Sequence, residues 1–305
     1  MPGIRWGYAV NQWRVTEVDF VRRDQWESAL KVMSVSGFRG VEIGDHTIGG
    51  AATVAAYFGS ARGFLDFLHG CGVDRVCSFS SSLPGSPTNA GDHERIGASA
   101  KRTAAFLREV GGSCLVVRPM GSYWREAPVT EEKIKTAAEC WNRVGKSTQE
   151  EGIQTTLHID FLCGIHGQAD IENLLKYTDP RLVGLAIDTA ELAIAGVDPV
   201  ELYDKHHDRV KHFHFKDATV ADTLGEYKMA NADSLLLAAG GKRGVERWFF
   251  EMGAPGGLVD FKALMASMKQ HNYDGLVVVE SDQSPHPEES VMLNGWYVKQ
   301  VLAKV

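Results

Sequence analysis

The stretch Val210–Asp217 reads VKHFHFKD and decides the fold of this chain of 305 residues. Its residues alternate between two faces, so that His212, His214 and Lys216 share one face and the phenylalanines share the other. Alternation with a period of two is typical of a β-strand. The pattern puts imidazoles at positions where a buried strand normally carries valine or isoleucine, and this favours a functional strand.

Two further apolar strands end in a single acidic residue. GLAID ends at Asp188, and LVVVE ends at Glu280. A parallel α/β barrel collects its active-site residues from the carboxyl ends of different strands, so three such strands predict that architecture. Each residue also has a plain structural interpretation: His214 as a core residue, and Asp188 as the N-cap of a helix that starts at Thr189.

Strand and helix patterns alternate along the whole chain and predict one (β/α)8 TIM barrel, a single domain over residues 1–305. A doubly wound sheet is the main rival, but the glycine fingerprint is missing after the first strand. A long loop near 218–259 is expected at the catalytic face. The predicted strands are Arg5–Val10, Gly40–Ile43, Arg75–Phe79, Cys114–Arg118, Gln154–His158, Val183–Ile187, Val210–Phe215 and Leu276–Glu280.

Composition excludes some classes of protein. With 32 basic and 39 acidic residues the formal charge is −7, which argues against a nucleic-acid-binding face. Apolar runs are too short for a membrane span, and the N-terminus does not resemble a signal peptide. The five cysteines have no CxxC spacing, and they predict reduced core thiols in a cytoplasmic protein.

In a barrel, Asp188, His214 and Glu280 would converge at one mouth. Carboxylates with imidazole suit a divalent cation, and a set without thiolate favours Mn²⁺ or Mg²⁺, with Zn²⁺ and Co²⁺ as alternatives. A fourth ligand is expected from the fifth strand, TTLHID. His158 is the first choice, and Asp160 is either the ligand instead or an acid/base beside it.

Other polar and aromatic residues follow strand ends and are candidates for substrate binding. Glu42 is expected to touch the metal or a substrate hydroxyl, or else to pair with Arg39. Arg118 is expected to bind a substrate oxygen, or else to form a structural pair with Glu42 or Asp160. The remaining candidates, for which plain packing or solvation is the alternative, are His46, Trp13, Trp124, Trp248 and Lys216.

HFHFKD resembles the HxHxKD motif of the xylose-isomerase-like barrel superfamily, which includes sugar isomerases, epimerases, inosose dehydratase and endonuclease IV. IDTAEL and VVVESDQSP are similar to its sixth-strand and eighth-strand motifs. NQW at Asn11–Trp13 and GVEIG at Gly40–Gly44 also resemble the inosose dehydratase branch. The resemblance covers nearly the whole chain and implies metal ligation by Asp188, His214 and Glu280.

Two positions depart from the superfamily's pattern. Epimerases carry a metal-binding Glu on the fifth strand, followed two residues later by His, where this chain has His158 and Asp160. The sixth-strand motif ends in Glu191 rather than His. Inosose dehydratases similarly have His at the fifth-strand position, so the resemblance favours a lyase over a 3-epimerase with two glutamates.

The expected function is a divalent-metal-dependent carbohydrate enzyme that removes a proton α to a carbonyl, with Glu280, His158 or Asp160 as the base. It would be a sugar isomerase or epimerase, or a carbon–oxygen (or carbon–carbon) lyase such as a dehydratase of keto-sugars or keto-polyols. A C-glycoside deglycosidase-like α-subunit is one alternative, and it would need a small β-subunit. The others are an endonuclease-IV-like nuclease and a metal-free binding barrel. The expected partner is a small carbohydrate or glycoside, with neither nucleic acid nor membrane, and homo-oligomers stay open.

Overall fold

The computed structural model describes residues 3–13, 23–45, 50–239 and 244–305. Eight parallel strands close into a barrel in which each strand pairs with its neighbours in the chain and the last pairs with the first. The barrel strands are β1 (Arg5–Ala9), β2 (Gly40–Gly44), β3 (Arg75–Ser81), β4 (Cys114–Val117), β5 (Gln154–His158), β6 (Val183–Asp188), β7 (Val210–Phe215) and β10 (Leu276–Val279). This confirms the predicted (β/α)8 fold.

Helices cover the outside of the barrel. Their bounds are Arg23–Ser36, Ala51–Tyr57, Ala61–Gly70, His93–Glu109, Tyr123–Glu126, Glu131–Gln149, Gln168–Tyr177, Thr189–Ile194, Pro199–His206, Ala232–Ala239, Phe261–Gln270 and Pro287–Gln300. Among the described residues, none of these helices is long and apolar enough to cross a membrane.

Strand β7 has the two faces that its alternation predicts. Phe213 and Phe215 point outward and stack against aromatic rings of the helical layer, with ring centroids 5.3 Å from Tyr203 and 5.4 Å from Phe261. Burial of such rings stabilises the contact between strand and helices. His212 and His214 point into the barrel, where both are almost completely buried.

The barrel interior changes character along its axis. One cluster of buried side chains in the interior is apolar and includes Ala9, Cys77 and Ala186. Gly7 permits this packing, because a Cβ there would lie 2.7 Å from the sulfur of Cys77. All five cysteines are buried and free, as the sequence predicts, and the interior becomes polar only toward the carboxyl ends of the strands.

The segment 218–259 is not a plain loop in the part that the structure describes. Its first residue belongs to the two-residue strand β8 (Asp217–Ala218), which pairs antiparallel with β9 (Phe249–Phe250). Between them lie a 3-10 turn at Glu226–Lys228 and the helix Ala232–Ala239. Periodicity did not predict this helix because its eight residues, ADSLLLAA, are apolar on nearly every side.

Candidate active site

A cavity of about 500 Å³ opens at the carboxyl ends of the barrel strands. A cavity of this size accommodates a small molecule. Strands β5, β7 and β10 supply His158, His214 and Glu280 to its wall, and Asp188 at the end of β6 lies directly behind them. The four residues that were predicted from four different strand ends therefore meet at one place.

Three of these residues, His158, Asp188 and His214, each place one candidate ligand atom within 4.8 Å of the others, and Glu280 lies beside His214. Asp188 Oδ2 lies 3.1 Å from His158 Nε2 and 3.5 Å from His214 Nδ1. His214 Nδ1 lies 3.6 Å from Glu280 Oε2. Ligands held at about 2.1 Å from one ion lie roughly 3.0–3.4 Å apart, so the spacing fits a divalent cation.

His214 provides a second observation in favour of a metal. Its Nδ1 is buried, faces these carboxylates and has no hydrogen-bond partner. Buried polar atoms almost always have a partner, so an orphan nitrogen among acidic side chains makes His214 a candidate ligand for a cation. The donor set of imidazole and carboxylate, without thiolate, suits several divalent metals.

Asp188 has two roles, one for each oxygen. Its Oδ1 accepts a hydrogen bond from the backbone N–H of Glu191 at 3.1 Å and caps the helix Thr189–Ile194. Its Oδ2 faces His158 and His214. The capping and ligand interpretations of the sequence are therefore compatible, and the cap fixes the direction in which the free oxygen points.

Glu42 lies behind His214 and is not among the residues that line the cavity. With His212 and His214 it forms a second group that could hold a metal ion, so its expected contact with a metal stays a prediction. Its Oε1 lies 2.8 Å from His214 Nε2, and its Oε2 accepts a hydrogen bond of 2.6 Å from the Ser78 hydroxyl. Oε2 also lies 3.1 Å from His212 Nε2. The carboxylate therefore holds the His214 ring with Nδ1 toward the cavity.

In this buried layer the Glu42 carboxylate and the imidazoles of His212 and His214 shift one another's pKa values. Burial raises the pKa of Glu42, but His214 and His212 outweigh it and hold the pKa well below its usual range. Burial lowers the pKa of His212 to about 4, so this ring is neutral near pH 7. Burial also opposes the charged form of His214, yet Glu280 and Glu42 raise its pKa well above the usual range.

Lys216 carries its ammonium into the middle of the acidic cluster. Its Nζ lies 3.0 Å from Asp188 Oδ2 and 2.9 Å from Glu280 Oε2, and the side chain is 2% exposed. Two further carboxylates approach it, Asp282 at 2.8 Å and Glu191 at 3.5 Å. The predicted substrate-binding lysine is thus also the counter-ion of the site.

Arg118 and Asp160 form a two-point ion pair in the cavity wall. Arg118 Nε lies 2.6 Å from Asp160 Oδ2, and Nη2 donates to Oδ1 at 2.9 Å. The backbone N–H of Leu162 also donates to Oδ1. The hydrogen bonds found for Asp160 thus come from Arg118 and Leu162, so the structural pair expected as an alternative for Arg118 is present.

The three tryptophans expected to stack on a sugar do not line the cavity. Trp248 is 1% exposed and packs on Phe161, and Trp13 is 8% exposed. Trp124 donates from its indole to Asp233 at 2.8 Å. Phe249, which sequence reasoning missed, supplies the aromatic surface of the wall instead. His46 lies outside the described residues.

Sequence reasoning also missed several polar residues of the site. Asn11 donates to Glu280 Oε1 at 2.9 Å, although NQW was noted only as a motif. Asp282 lies two residues beyond Glu280, so continued strand alternation would have indicated it. Asp233 comes from the helix Ala232–Ala239 and has no sequence signal, because it reaches the wall only through tertiary packing.

The sequence profile described as xylose isomerase-like TIM barrel matches residues 30–295 of the chain. The chain belongs to this family. An inosose dehydratase of Lacticaseibacillus casei is 29% identical over 273 residues, which cover 85% of this chain and 83% of that protein. An inosose dehydratase of Clostridium beijerinckii is 28% identical over 298 residues, which cover 92% of this chain and 91% of that protein.

Solved structures share the fold at lower identity. The crystal structure of IOLI protein with a binding zinc atom superimposes with a TM-score of 0.72 at 13% identity, covering 98% of each chain. Identity at this level shows a common fold only, so the function of the chain has to be argued from its own site.

Proposed function

We propose that this protein is a divalent-metal-dependent carbohydrate enzyme, a dehydratase of a keto-polyol or keto-sugar. The observation that carries the proposal is the convergence of His158, Asp188 and His214, whose candidate ligand atoms lie within 4.8 Å of one another, with Glu280 beside them at the cavity. The relatives at 28–29% identity that are named inosose dehydratase support the lyase reaction.

The four converging side chains would hold the cation, and His158 is the most exposed of them at 17%. When bound, a divalent cation acts as a Lewis acid on a carbonyl and its neighbouring hydroxyl. The IOLI protein structure with a binding zinc atom supports Zn²⁺ at such a site. Mn²⁺ is proposed from the donor set alone. Glu42 fixes the imidazole of His214, as outer partners of metal-binding histidines do.

Proton removal needs a base in the cavity wall, and Glu280 meets the requirement. Burial raises the pKa of Glu280, although His214 and Lys216 oppose the shift, and a raised pKa makes a carboxylate a stronger base. Asn11 holds Oε1 at 2.9 Å. Arg118 contacts both oxygens of Asp160, so this carboxylate is held in the cavity wall by its ion pair.

Dehydration then requires the hydroxyl on the carbon beside the deprotonated one to leave as water. The carbon–oxygen bond breaks, a carbon–carbon double bond forms, and no redox partner is consumed. The Lys216 ammonium lines the cavity and is a donor for the departing oxygen. The proton removed by the base is the one that the departing hydroxyl needs to leave as water, and the ammonium donates a hydrogen bond to that oxygen.

The fifth strand favours a lyase over an epimerase. An epimerase removes a proton on one face of a carbon and returns it on the other, for which two opposed carboxylates serve. Here His158 takes the position of one of them, and its Nε2 lies 3.1 Å from Asp188. An isomerase or epimerase remains the second candidate because the same deprotonated intermediate leads to it.

The experiment that tests the proposal incubates metal-loaded protein with inososes and keto-sugars in D₂O and follows the products by NMR and mass spectrometry. A dehydratase gives a product lighter by one water. Substrate deuterated at the carbon next to the carbonyl should react with a primary isotope effect. Solvent deuterium incorporated without loss of water would identify an isomerase or epimerase. A reaction that needs added nicotinamide cofactor would refute both.

A further inference from the structure

Lys216 and the predicted metal site use the same carboxylate oxygens. Asp188 Oδ2 and Glu280 Oε2 are the oxygens that face His214 Nδ1, at 3.5 Å and 3.6 Å. The same two oxygens lie 3.0 Å and 2.9 Å from Lys216 Nζ. A divalent cation bound there would approach the ammonium closely, and like charges that share two ligands in a buried site repel strongly.

Two other carboxylates offer the ammonium a place away from the metal ligands. Asp282 Oδ2 lies 2.8 Å from Nζ, and Glu191 Oε1 lies 3.5 Å from it. The ring of Phe249, with its centroid 4.2 Å from Nζ, adds a cation–π surface. Neither acid is among the four expected metal ligands, so a bound cation would not occupy the oxygens of Asp282 and Glu191 that contact Nζ.

We propose that Lys216 is an internal counter-ion that competes with the divalent cation for Asp188 and Glu280, and that metal binding transfers its ammonium to Asp282 and Glu191. The inference rests on the metal site of the proposed function. An ammonium has three N–H donors, so leaving Asp188 and Glu280 frees a donor for a substrate oxygen. Metal loading and substrate recognition are coupled through this one side chain.

Titration of chelator-stripped protein with MnCl₂ by calorimetry tests the competition. Lys216→Met removes the charge and keeps an unbranched chain, and we expect it to tighten Mn²⁺ binding at least tenfold. Lys211→Met is the matched control, because Lys211 lies on the outer face of the same strand and is exposed. Equal or weaker Mn²⁺ binding by Lys216→Met would mean that Lys216 supports the site and does not compete.

A second variant tests where the ammonium goes. Asp282→Asn removes its alternative partner, so Mn²⁺ binding should weaken by more than threefold relative to Asp233→Asn, the same change elsewhere in the cavity wall. In the Lys216→Met background the effect of Asp282→Asn should shrink. Equal weakening in both backgrounds would refute the transfer of the ammonium.

Stability gives a readout that does not depend on activity. Without its ammonium, the cluster holds unbalanced carboxylates, so metal-free Lys216→Met should melt below the wild type and gain more from Mn²⁺. If Lys216→Met does not fold, the Mn²⁺ affinities of Asp282→Asn and Asp233→Asn still test whether the ammonium moves to Asp282. Wild-type protein that binds no divalent cation would refute the proposed function itself, whereas the outcomes above concern Lys216 alone.

Discussion

His214 lies between the buried Glu42 and the cavity. One ring nitrogen is held by Glu42 at 2.8 Å, and the other faces Asp188 and Glu280. No other residue of the described site touches both the buried layer and the predicted ligands in this way. The imidazole is therefore the position where a single change tests the site most directly.

Replacing His214 with Ala should abolish retention of stoichiometric metal after dialysis and reduce turnover to background. The reason is that the change removes a ligand and leaves Glu42 without its imidazole partner. Metal content measured by mass spectrometry checks this. His207→Ala, which removes an imidazole at the opposite end of the barrel, should retain both metal and turnover, and full activity of metal-free His214→Ala would refute the assignment.

Glu42→Gln should weaken metal binding by about 10–100-fold, as loss of a carboxylate behind a ligand histidine does. The amide keeps the shape of the side chain but not its charge toward His214. Calorimetric titration measures the affinity, and circular dichroism verifies that the fold is unchanged. An unchanged affinity would show that Glu42 serves only the packing of the barrel interior.

Asp160→Asn should lower the melting temperature and leave turnover of the folded protein nearly unchanged. The change breaks a charged, partly buried hydrogen-bonded pair with Arg118, which costs about 1.5–3 kcal/mol. Thermal unfolding and kcat measured on the same preparation separate the two effects. A large loss of kcat with little loss of stability would instead make Asp160 a catalytic acid or base.

The candidate ligand residues could be located from the sequence because each lies at or near the end of a predicted strand. Asp188, His214 and Glu280 follow apolar runs, and parallel strands in a barrel bring their carboxyl ends together. The direction of Glu42 could not be predicted, and the pairing of Arg118 with Asp160 was one of two pairings that the sequence left open. Both depend on which of several oppositely charged side chains lies nearest, and this is set by the stagger of the strands.

At the scale of elements, the helix Ala232–Ala239 closes one side of the cavity. Asp233 at its start accepts hydrogen bonds from the Ser122 hydroxyl at 2.7 Å and from the Trp124 indole at 2.8 Å. Leu237 lines the cavity. Polar contacts near its first turn thus fix this helix to the loop after β4, which makes Asp233 a positioning residue for the wall.

Asp233→Ala should raise KM several-fold and change kcat little, because it loosens one wall without touching the predicted ligands. Hydrogen–deuterium exchange should become faster in Ala232–Ala239 and stay unchanged in the barrel strands. A drop in kcat at constant KM would show that Asp233 acts on the reaction itself.

The eight barrel strands could be predicted from the sequence, and the structure of the segment 218–259 could not. The eight strands agree with the structure to within two residues at their ends, because strands buried on both faces leave short apolar runs in the sequence. The β8–β9 pair and the helix Ala232–Ala239 are too short to show a period. Their conformation is set by contacts with the barrel mouth instead of local propensity.

For the whole molecule, metal binding should stabilise the native state by mass action. A ligand at about 100 times its Kd contributes about 2.7 kcal/mol when it does not bind the unfolded chain. The melting temperature should therefore rise with the concentration of Mn²⁺ or Zn²⁺ and fall again on addition of chelator. Differential scanning fluorimetry measures this, and His214→Ala should show no such response.

The helix cap formed by Asp188 has a consequence for the rate and cost of cation capture. A free aspartate side chain rotates about two bonds, and a ligand that binds it must first suppress that motion. Here the bond from Glu191 N–H to Oδ1 has already stopped the rotation. Folding itself therefore bears the entropic cost of orienting this carboxylate, and an arriving cation meets Oδ2 already oriented but has to displace the Lys216 ammonium from it.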